Sequence, residues 1–458
     1  MRLATAAAGE SWLQRETKFG LGLAGFIAIG LAQWPPQAQD KALSGTEQRA
    51  VQQAQTRARL VELAPAKRRD VDYAALDARL RRMADKPNMV GMAVGIVEGG
   101  RITFLSGYGE TIEGSGQAVT PETVFRWASV SKGVASTMVA KLAEQGKLSL
   151  DQPVATLAPS LQLPGGAQTR ATVADVLSHR LGLYRNAYDN KLEEGQDAKF
   201  LRRTLFELNG LCAPGTCWSY QNIAYDASSE VVEKVSGERY EDAVRRTLFD
   251  PIGMTSASVS RGGLQSAKSW ARPHSVGRRP LEVNDVYYGV PASGGVNSDI
   301  KDMTLWMLAQ MGEMPAVLSP ALLQAIHAPR VATPNERGRL RKFRERLDDP
   351  QYGLGWRSYT WAGRRVIGHR GGVNGYRSLI LFDPVLKSGV VALWNSNTSQ
   401  PGGLEFEVMD MLYQLPFRDW MEVDRGPLPP AVASEPPDEV SGELGPRKTP
   451  IAGSVRAR

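Results

Sequence analysis

The chain is poor in the residues that build metal and cofactor sites, with two cysteines and four histidines in 458 residues. His179, His274, His327 and His369 are scattered, with no ligand spacing around them, so neither a metal nor a cofactor is expected. No G-x-S-x-G elbow occurs, which argues against a triad hydrolase built on a strand-to-helix turn. Short Asp/Glu pairs abound, yet none stands out as a glycosidase couple. There is no internal repeat, helix-turn-helix, zinc finger or stacking platform, and nucleic acid is not an expected partner.

Long apolar runs are scarce too. One, "FGLGLAGFIAIGLA" at residues 19–32, follows a mildly basic lead of Arg2, Arg15 and Lys18. It falls short of the roughly twenty apolar residues of a membrane span and suits a signal-peptide core. Export to the periplasm or the medium is expected. The alternative is an uncleaved anchor, with membrane association through the N-terminus.

Hydrophobic content of 42% with 22% charged residues belongs to an ordinary globular protein with a large core. The length suits about three domains, or one two-lobed enzyme. Net charge is +7 and the isoelectric point about 9.3. Part of the excess lies in "NERGRLRKFRERLDDP", residues 335–350, expected as a solvated loop; contact with an acidic polymer or membrane surface is the alternative. In "LCAPGTCWSYQN", Pro214-Gly215 supplies a turn between Cys212 and Cys217. An oxidising compartment would allow a disulfide there, contributing about 2 kcal/mol, with two free thiols as the alternative.

Residues 1–38 read as the signal or anchor, 39–71 as a Gln-, Ala- and Arg-rich tether with a helix near 47–63, and 421–458 as a Pro- and charge-rich disordered tail. Between them, a helix is expected over 71–84. Strands follow in "VGMAVGIVEG" and "RITFLSGYG", joined through Gly99-Gly100, and then a helix that ends at Gly146. Residues 149–290 are mostly helical in pattern. Strand signals return in "YGLGWRSYTW", "RRVIGHRGG", "YRSLILFDP" and "SGVVALWNS". The expected fold is α/β (α+β): an antiparallel sheet flanked by helices, built from 72–148 and 291–420, with an all-helical lobe of 149–290 inserted.

Within "WASVSKGVAS", Ser129 and Lys132 form an S-x-x-K pair that shares one face of a helix. A serine where the helix begins would have backbone N–H groups and the positive dipole end aimed at an oxyanion. A neighbouring desolvated amine can deprotonate the hydroxyl. The spacing recurs at Ser298 and Lys301, but there Asp299 and Asp302 suggest a helix cap and a lysine neutralised by surface carboxylates. Ala128, Val130, Gly133 and Val134 would instead strip water from Lys132.

"FRWASVSKGVAST" resembles the nucleophile region of the serine β-lactamase and penicillin-binding protein superfamily, in its class C β-lactamase and esterase branch. "CWSYQN" resembles the Y-x-N motif of that branch and "GHRGGVNGY" its third motif. "GMAVGIVEGG", "TVADVLSHRLGL", "DPIGM", "ASGGVNSDIKDM" and "YGLGW" match flanking phrases, so the likeness runs over residues 72–415. It implies an acyl-enzyme on Ser129, with Lys132 and Tyr220 sharing the proton traffic and Asn222 orienting Lys132 and the substrate. It also implies an oxyanion hole from the N–H groups of Ser129 and of Gly372, on an edge strand. A Cys212–Cys217 bridge would then stiffen the loop presenting Tyr220.

The third motif departs from the K-T-G of enzymes that destroy β-lactams and reads His369-Arg370-Gly371. A histidine, mostly neutral near pH 7, makes a weaker anion site than lysine. Strand alternation would aim Arg370 at the opposite face, and His179 is expected to be structural. The expected substrates are esters, D-amino-acid peptides or amides such as those of peptidoglycan, and then β-lactams. The rival reading is a penicillin-binding envelope sensor or scaffold with little or no turnover.

Overall fold

Unbroken apolar runs such as "GMAVGIVE" and "SGVVALW" suit strands covered on both faces, and that is how the protein uses them. In the computed structural model, which describes residues 70–424, β1 (Gly91–Glu98) and β2 (Arg101–Gly109) form the hairpin expected at Gly99-Gly100. A two-residue strand β3 (Phe125–Arg126) pairs with β4 (Asn297–Ser298). Then come β5 (Val331–Ala332), β6 (Leu347–Tyr352), β7 (Arg357–Trp361), β8 (Arg364–Val373), β9 (Tyr376–Asp383) and β10 (Ser388–Trp394). With β1 and β2 they make an eight-stranded antiparallel sheet in the order β2-β1-β10-β9-β8-β7-β6-β5. Early and late strands of the described region therefore complete one sheet.

The helices that cover the sheet and frame the serine turn are α1 (Tyr73–Ala84), α2 (Ser131–Glu144), α3 (Ala227–Ser236), the one-turn α4 (Pro291–Gly294), α5 (Ile300–Gln310), α6 (Pro320–His327) and α7 (Leu404–Leu412). Residues between α2 and α4 add no strand to the large sheet. Alternation along β9 splits the core: Ile380 and Phe382 join the cluster that holds Met138 and Trp306, while Leu379 and Leu381 join the one that holds Leu76, Leu80 and Phe406. α2 and α5 thus cover one face, and α1 and α7 the other.

Four expectations need revision. The strand carrying the third motif is internal, between β9 and β7. It pairs with β7 only from Arg364 to Gly368, however, so its second half runs past the end of β7. "YGLGW" is the turn between β6 and β7 rather than part of one strand. The basic run is no simple solvated loop, because Leu340, Phe343 and Leu347 are buried in the second core and Arg346 pairs with Asp410. Most of its charges lie outward of an apolar stripe, while Arg346 and Glu336 turn inward to Asp410 and Arg357, an arrangement that net-charge counting overlooks. Finally, the helix cap near Ser298 is Asp299, which accepts from Asp302 N; Lys301 pairs with Glu122 instead of the neighbouring acids.

At the start of the segment expected as a tail, Met421 and Val423 are buried and Asp424 pairs with Arg79 and Arg82. The apolar run at 19–32, the expected helix at 47–63, almost all of the tether and residues 425–458 lie outside the described residues. No helix among the described residues is long and apolar enough to cross a membrane.

Arg79 ties α1 to the end of the domain. It donates to Glu407 on α7 (2.8 Å), to Asp419 (2.6 Å) and to Asp424 (2.5 Å). Glu407 is fully buried. Replacing Arg79 by alanine strands that carboxylate, and the expected cost is about 3–5 kcal/mol. Urea denaturation should show it, with Glu407→Gln in the same background recovering part of the loss.

Candidate active site

Ser129 lies in a single 3-10 turn, residues 128–130, that leads into α2. Ala128 adopts φ +48°, a left-handed conformation that non-glycine residues rarely take. Its neighbour Trp127 fixes that bend. Trp127 N donates to Val296 O (2.8 Å), Nε1 to Ser298 Oγ (2.9 Å), and Trp127 O accepts from Ser378 Oγ (2.6 Å). Ser298, the serine of the second S-x-x-K pair, thus supports the first.

The Lys132 side chain is fully buried. Its Nζ lies 3.4 Å from Ser129 Oγ and donates to Asn222 Oδ1 (2.6 Å) and Ser293 O (3.2 Å). Asn222 is oriented in turn by Asp189, whose Oδ2 accepts from Asn222 Nδ2 at 2.7 Å. Ser293, on α4, is held by its own Oγ bond to Asn222 O (2.7 Å). Asp226 accepts from Ala292 N (2.9 Å) and pairs with Arg202, which fixes the rest of α4. Burial is the main force that pushes the Asp226 carboxyl up to about 6. From the sheet side, "YGLGW" lies on α2. A Cβ on Gly133 would meet the Trp356 ring at 2.6 Å, so only glycine lets the two pack.

Tyr220 is buried, with Lys132 Nζ 4.7 Å from its ring centroid and the guanidinium carbons of Arg185 and Arg357 at 5.4 and 5.7 Å. Its loop is laid along residues 179–186 by backbone bonds: Ser219 N to His179 O (2.9 Å) and Asn186 N to Tyr220 O (2.9 Å). Cys212 and Cys217 are joined by a disulfide, with Cα atoms 6.3 Å apart, and Leu211 N donates to Gly182 O.

A directional chain of hydrogen bonds connects this loop to the third motif. Gln221 N donates to His179 Nδ1 (3.2 Å), so in a neutral ring Nε2 carries the proton and donates to Tyr352 Oη (3.1 Å). At the other end His369 Nδ1 lies 2.7 Å from Arg370 O, which only accepts, so Nε2 is left to accept from Tyr352 O–H (3.1 Å). A backbone N–H at one end and a carbonyl at the other demand the same polarity. Burial, helped by the cations Lys132 and Arg357, holds both imidazoles well below the usual 6.5.

Gly371 abuts the serine directly. A Cβ there would lie 2.3 Å from Trp127 O and 2.9 Å from Ser129 N. Gly372 follows on the part of β8 that β7 does not cover. Arg370 is not brought to this group, because it turns to the other face of the sheet and pairs with Glu405 on α7. Ser129, Lys132, Tyr220, Asn222, His369 and Gly371 therefore converge, and Arg370 does not. Glu336, from the basic run, binds Arg357 (2.7 Å) near Tyr220. Burial raises its carboxyl, but Arg357, Arg339 and Arg185 outweigh that and hold it below the ordinary value.

Asp189, Ser293, His179 and Tyr352 were not legible as site residues. Asp189 sits in an unremarkable "YDN". The signal for the others was present but unread, since Ser293, His179 and Tyr352 each occur in a flanking phrase that matched the superfamily.

A strained serine turn, a buried lysine on the helical turn that follows and a glycine strand pressed against the serine backbone define a β-lactamase-like site. The chain belongs to the Beta-lactamase family, which it matches over residues 76–410. It is similar to an unguisins hydrolase of Aspergillus campestris, 27% identical over 350 residues, 72% of this chain and 62% of that protein. The chain thus spans less than two thirds of that relative's length. In fold it is similar to the octameric penicillin-binding protein homologue from Pyrococcus abyssi (TM-score 0.68, 22% identity, 75% of this chain and 78% of that one). It is also similar to a class C beta-lactamase (TM-score 0.62, 23% identity, 78% and 100%).

Four buried histidines give the fold a pH signature. His327, bound to Gln310 Oε1 (3.0 Å), is pushed down to about 3 by burial and by Arg365, and burial also depresses His179, His274 and His369. A depressed folded-state pKa means that the unfolded chain takes up the proton first. This contribution is complete above pH 6.5, the ordinary value, and is lost as pH falls. Each such histidine should add about 1.4 kcal/mol per pH unit to the slope of stability below that point. Urea titrations between about pH 7.5 and about pH 5 should show His327→Gln lowering the slope by about one proton; an unchanged slope would count against the assignment.

Proposed function

We propose that this chain is an exported serine hydrolase that works through an acyl-enzyme on Ser129. Its substrates would be esters or D-amino-acid peptides and amides, with β-lactams the least favoured class. The observation that carries the reading is the placement of Lys132: a fully buried amine, fixed by two carbonyl acceptors, 3.4 Å from a serine hydroxyl. In its neutral form the amine offers the lone pair that takes the hydroxyl proton.

Ser129 Oγ then attacks the acyl carbon while its proton passes to the neutral Lys132 amine or, where the lysine is charged, to a Tyr220 phenolate whose ring is 4.7 Å from it. The carbonyl oxygen becomes an oxyanion that accepts from Ser129 N–H and Gly372 N–H. Collapse returns the proton to the departing alcohol or amine and leaves the ester on Ser129. Water, deprotonated by the same base, releases the acid and restores the serine. Asn222, backed by Asp189, keeps its carbonyl oxygen toward Lys132. The bridge between Cys212 and Cys217 supports the exported reading, because such bonds persist in oxidising compartments. It also stiffens the loop that carries Tyr220. The disfavour for β-lactams follows from His369, whose two nitrogens are both engaged and whose charged form burial opposes.

The test is labelling with a fluorophosphonate followed by intact mass. Wild type should gain one adduct that Ser129→Ala abolishes, and Lys132→Ala should lose about 10²–10⁴-fold in turnover of a nitrophenyl ester. A D-Ala-D-Ala dipeptide and a chromogenic cephalosporin, run beside the ester, rank the substrate classes. A lasting cephalosporin adduct without ester turnover would favour the sensor. In Gly371→Ala a methyl must displace Trp127 O or Ser129 N, and the ester rate should fall by about 10²-fold with the fold retained.

A further inference from the structure

Four arginines among the described residues are more than nine-tenths buried: Arg79, Arg126, Arg202 and Arg357. Three have a carboxylate partner, namely Glu407, Asp226 and Glu336 for Arg79, Arg202 and Arg357. Arg126, 3% exposed, has none among the described residues. Its Cζ lies 4.0 Å from the Tyr288 ring centroid, and Nη2 makes one long bond to Gly294 O (3.4 Å). Its buried Nε has no hydrogen-bond partner. Removing a guanidinium from water costs more than a ring face and one long contact return, so the site is built for an anion that the chain does not supply.

The location says which anion. Arg126 lines a cleft of about 440 Å³ together with Tyr287, Gly372, Asn374, Arg377 and Asn397. That volume suits a small ligand. Gly372 follows Gly371, which abuts Ser129 N, and Gly294 follows Ser293, whose carbonyl holds Lys132. The cleft therefore opens beside the serine. Glu193 and Glu282, both exposed, also line it and disfavour a polyanion.

We propose that Arg126 is the anchor for a single carboxylate on the acyl substrate, in the place that His369 cannot fill. The inference rests on Ser129 being the acylated residue. Substrate carboxylate and guanidinium would pair in a site shielded from water, where such bonds are strong and directional.

Two ester pairs test it, each a carboxylate against its neutral amide isostere. Mono-4-nitrophenyl glutarate carries the anion on the acyl side, and 3-acetoxybenzoate carries it on the leaving group. Wild type should prefer the carboxylate in at least one pair by about tenfold or more in kcat/KM. Arg126→Gln should erase that preference while keeping the neutral ester within about threefold of wild type, and Arg126→Lys should keep part of it. Should the glutamine variant fail to fold, benzoate should still inhibit neutral-ester turnover by wild type competitively, where benzamide does not. No preference in wild type, no benzoate inhibition, or a preference that survives in Arg126→Gln overturns the anchor. The hydrolase reading fails differently, with no ester turned over and Ser129 unlabelled. Calorimetric binding of 3-acetoxybenzoate over its amide, lost in Arg126→Gln, would then still report the anchor.

Discussion

Everything at this site depends on keeping one amine dry. An ammonium or amine taken out of water must find its hydrogen-bond partners in the protein, and Lys132 finds them in Asn222 Oδ1 and Ser293 O. Those two acceptors come from distant segments, each held by its own support: Asp189 behind Asn222, and Asp226 with Arg202 behind α4. Removing any one of them would loosen the amine before it touched the serine. Burial of the lysine thus explains why so much buried polar structure surrounds one helical turn.

The same turn is clamped from the sheet. Gly371 on β8 and Trp356 after β6 press on the Ser129 backbone and on Gly133, at distances that admit no further side-chain atom. Close packing of this kind transmits small displacements rather than absorbing them. The chain His179–Tyr352–His369 then joins the clamp to the Tyr220 loop, so the three motif regions behave as one braced unit. Its polarity is set by backbone groups at both ends. Protonating either imidazole would turn an acceptor into a donor facing a donor.

What could be seen in the amino-acid order was whatever is local. Ser129 and Lys132 are one helical turn apart, Tyr220 and Asn222 two residues apart, and the two cysteines enclose a turn; each pattern states its own geometry. The central strands β1 and β10 were legible because apolar residues run through them, whereas the short β5 and the polar β6 were not. Partners brought from afar were not: Asn222 and Asp189 are separated by 33 residues, Lys132 and Ser293 by 161, His179 and Tyr352 by 173. The basic run misled for a related reason. Its charge is conspicuous, while Leu340, Phe343 and Leu347, which seat it on the second core, look ordinary one by one.

The histidine of the third motif is where the local and the long-range meet. A lysine at that position would bring a flexible cation to the serine. His369 instead has Nδ1 committed to Arg370 O and Nε2 to Tyr352, while burial, Arg357 and Lys132 all oppose its charged form. The adjacent Arg370 cannot substitute, since the pleat sends it through the sheet to Glu405. Positive charge near the serine must therefore come from outside the motif. Lys132 is engaged with the hydroxyl and two carbonyls, and Arg357 is neutralised by Glu336. The desolvated guanidinium beneath Tyr288, on the strand that leads into the serine turn, is a buried cation with no carboxylate partner among the described residues.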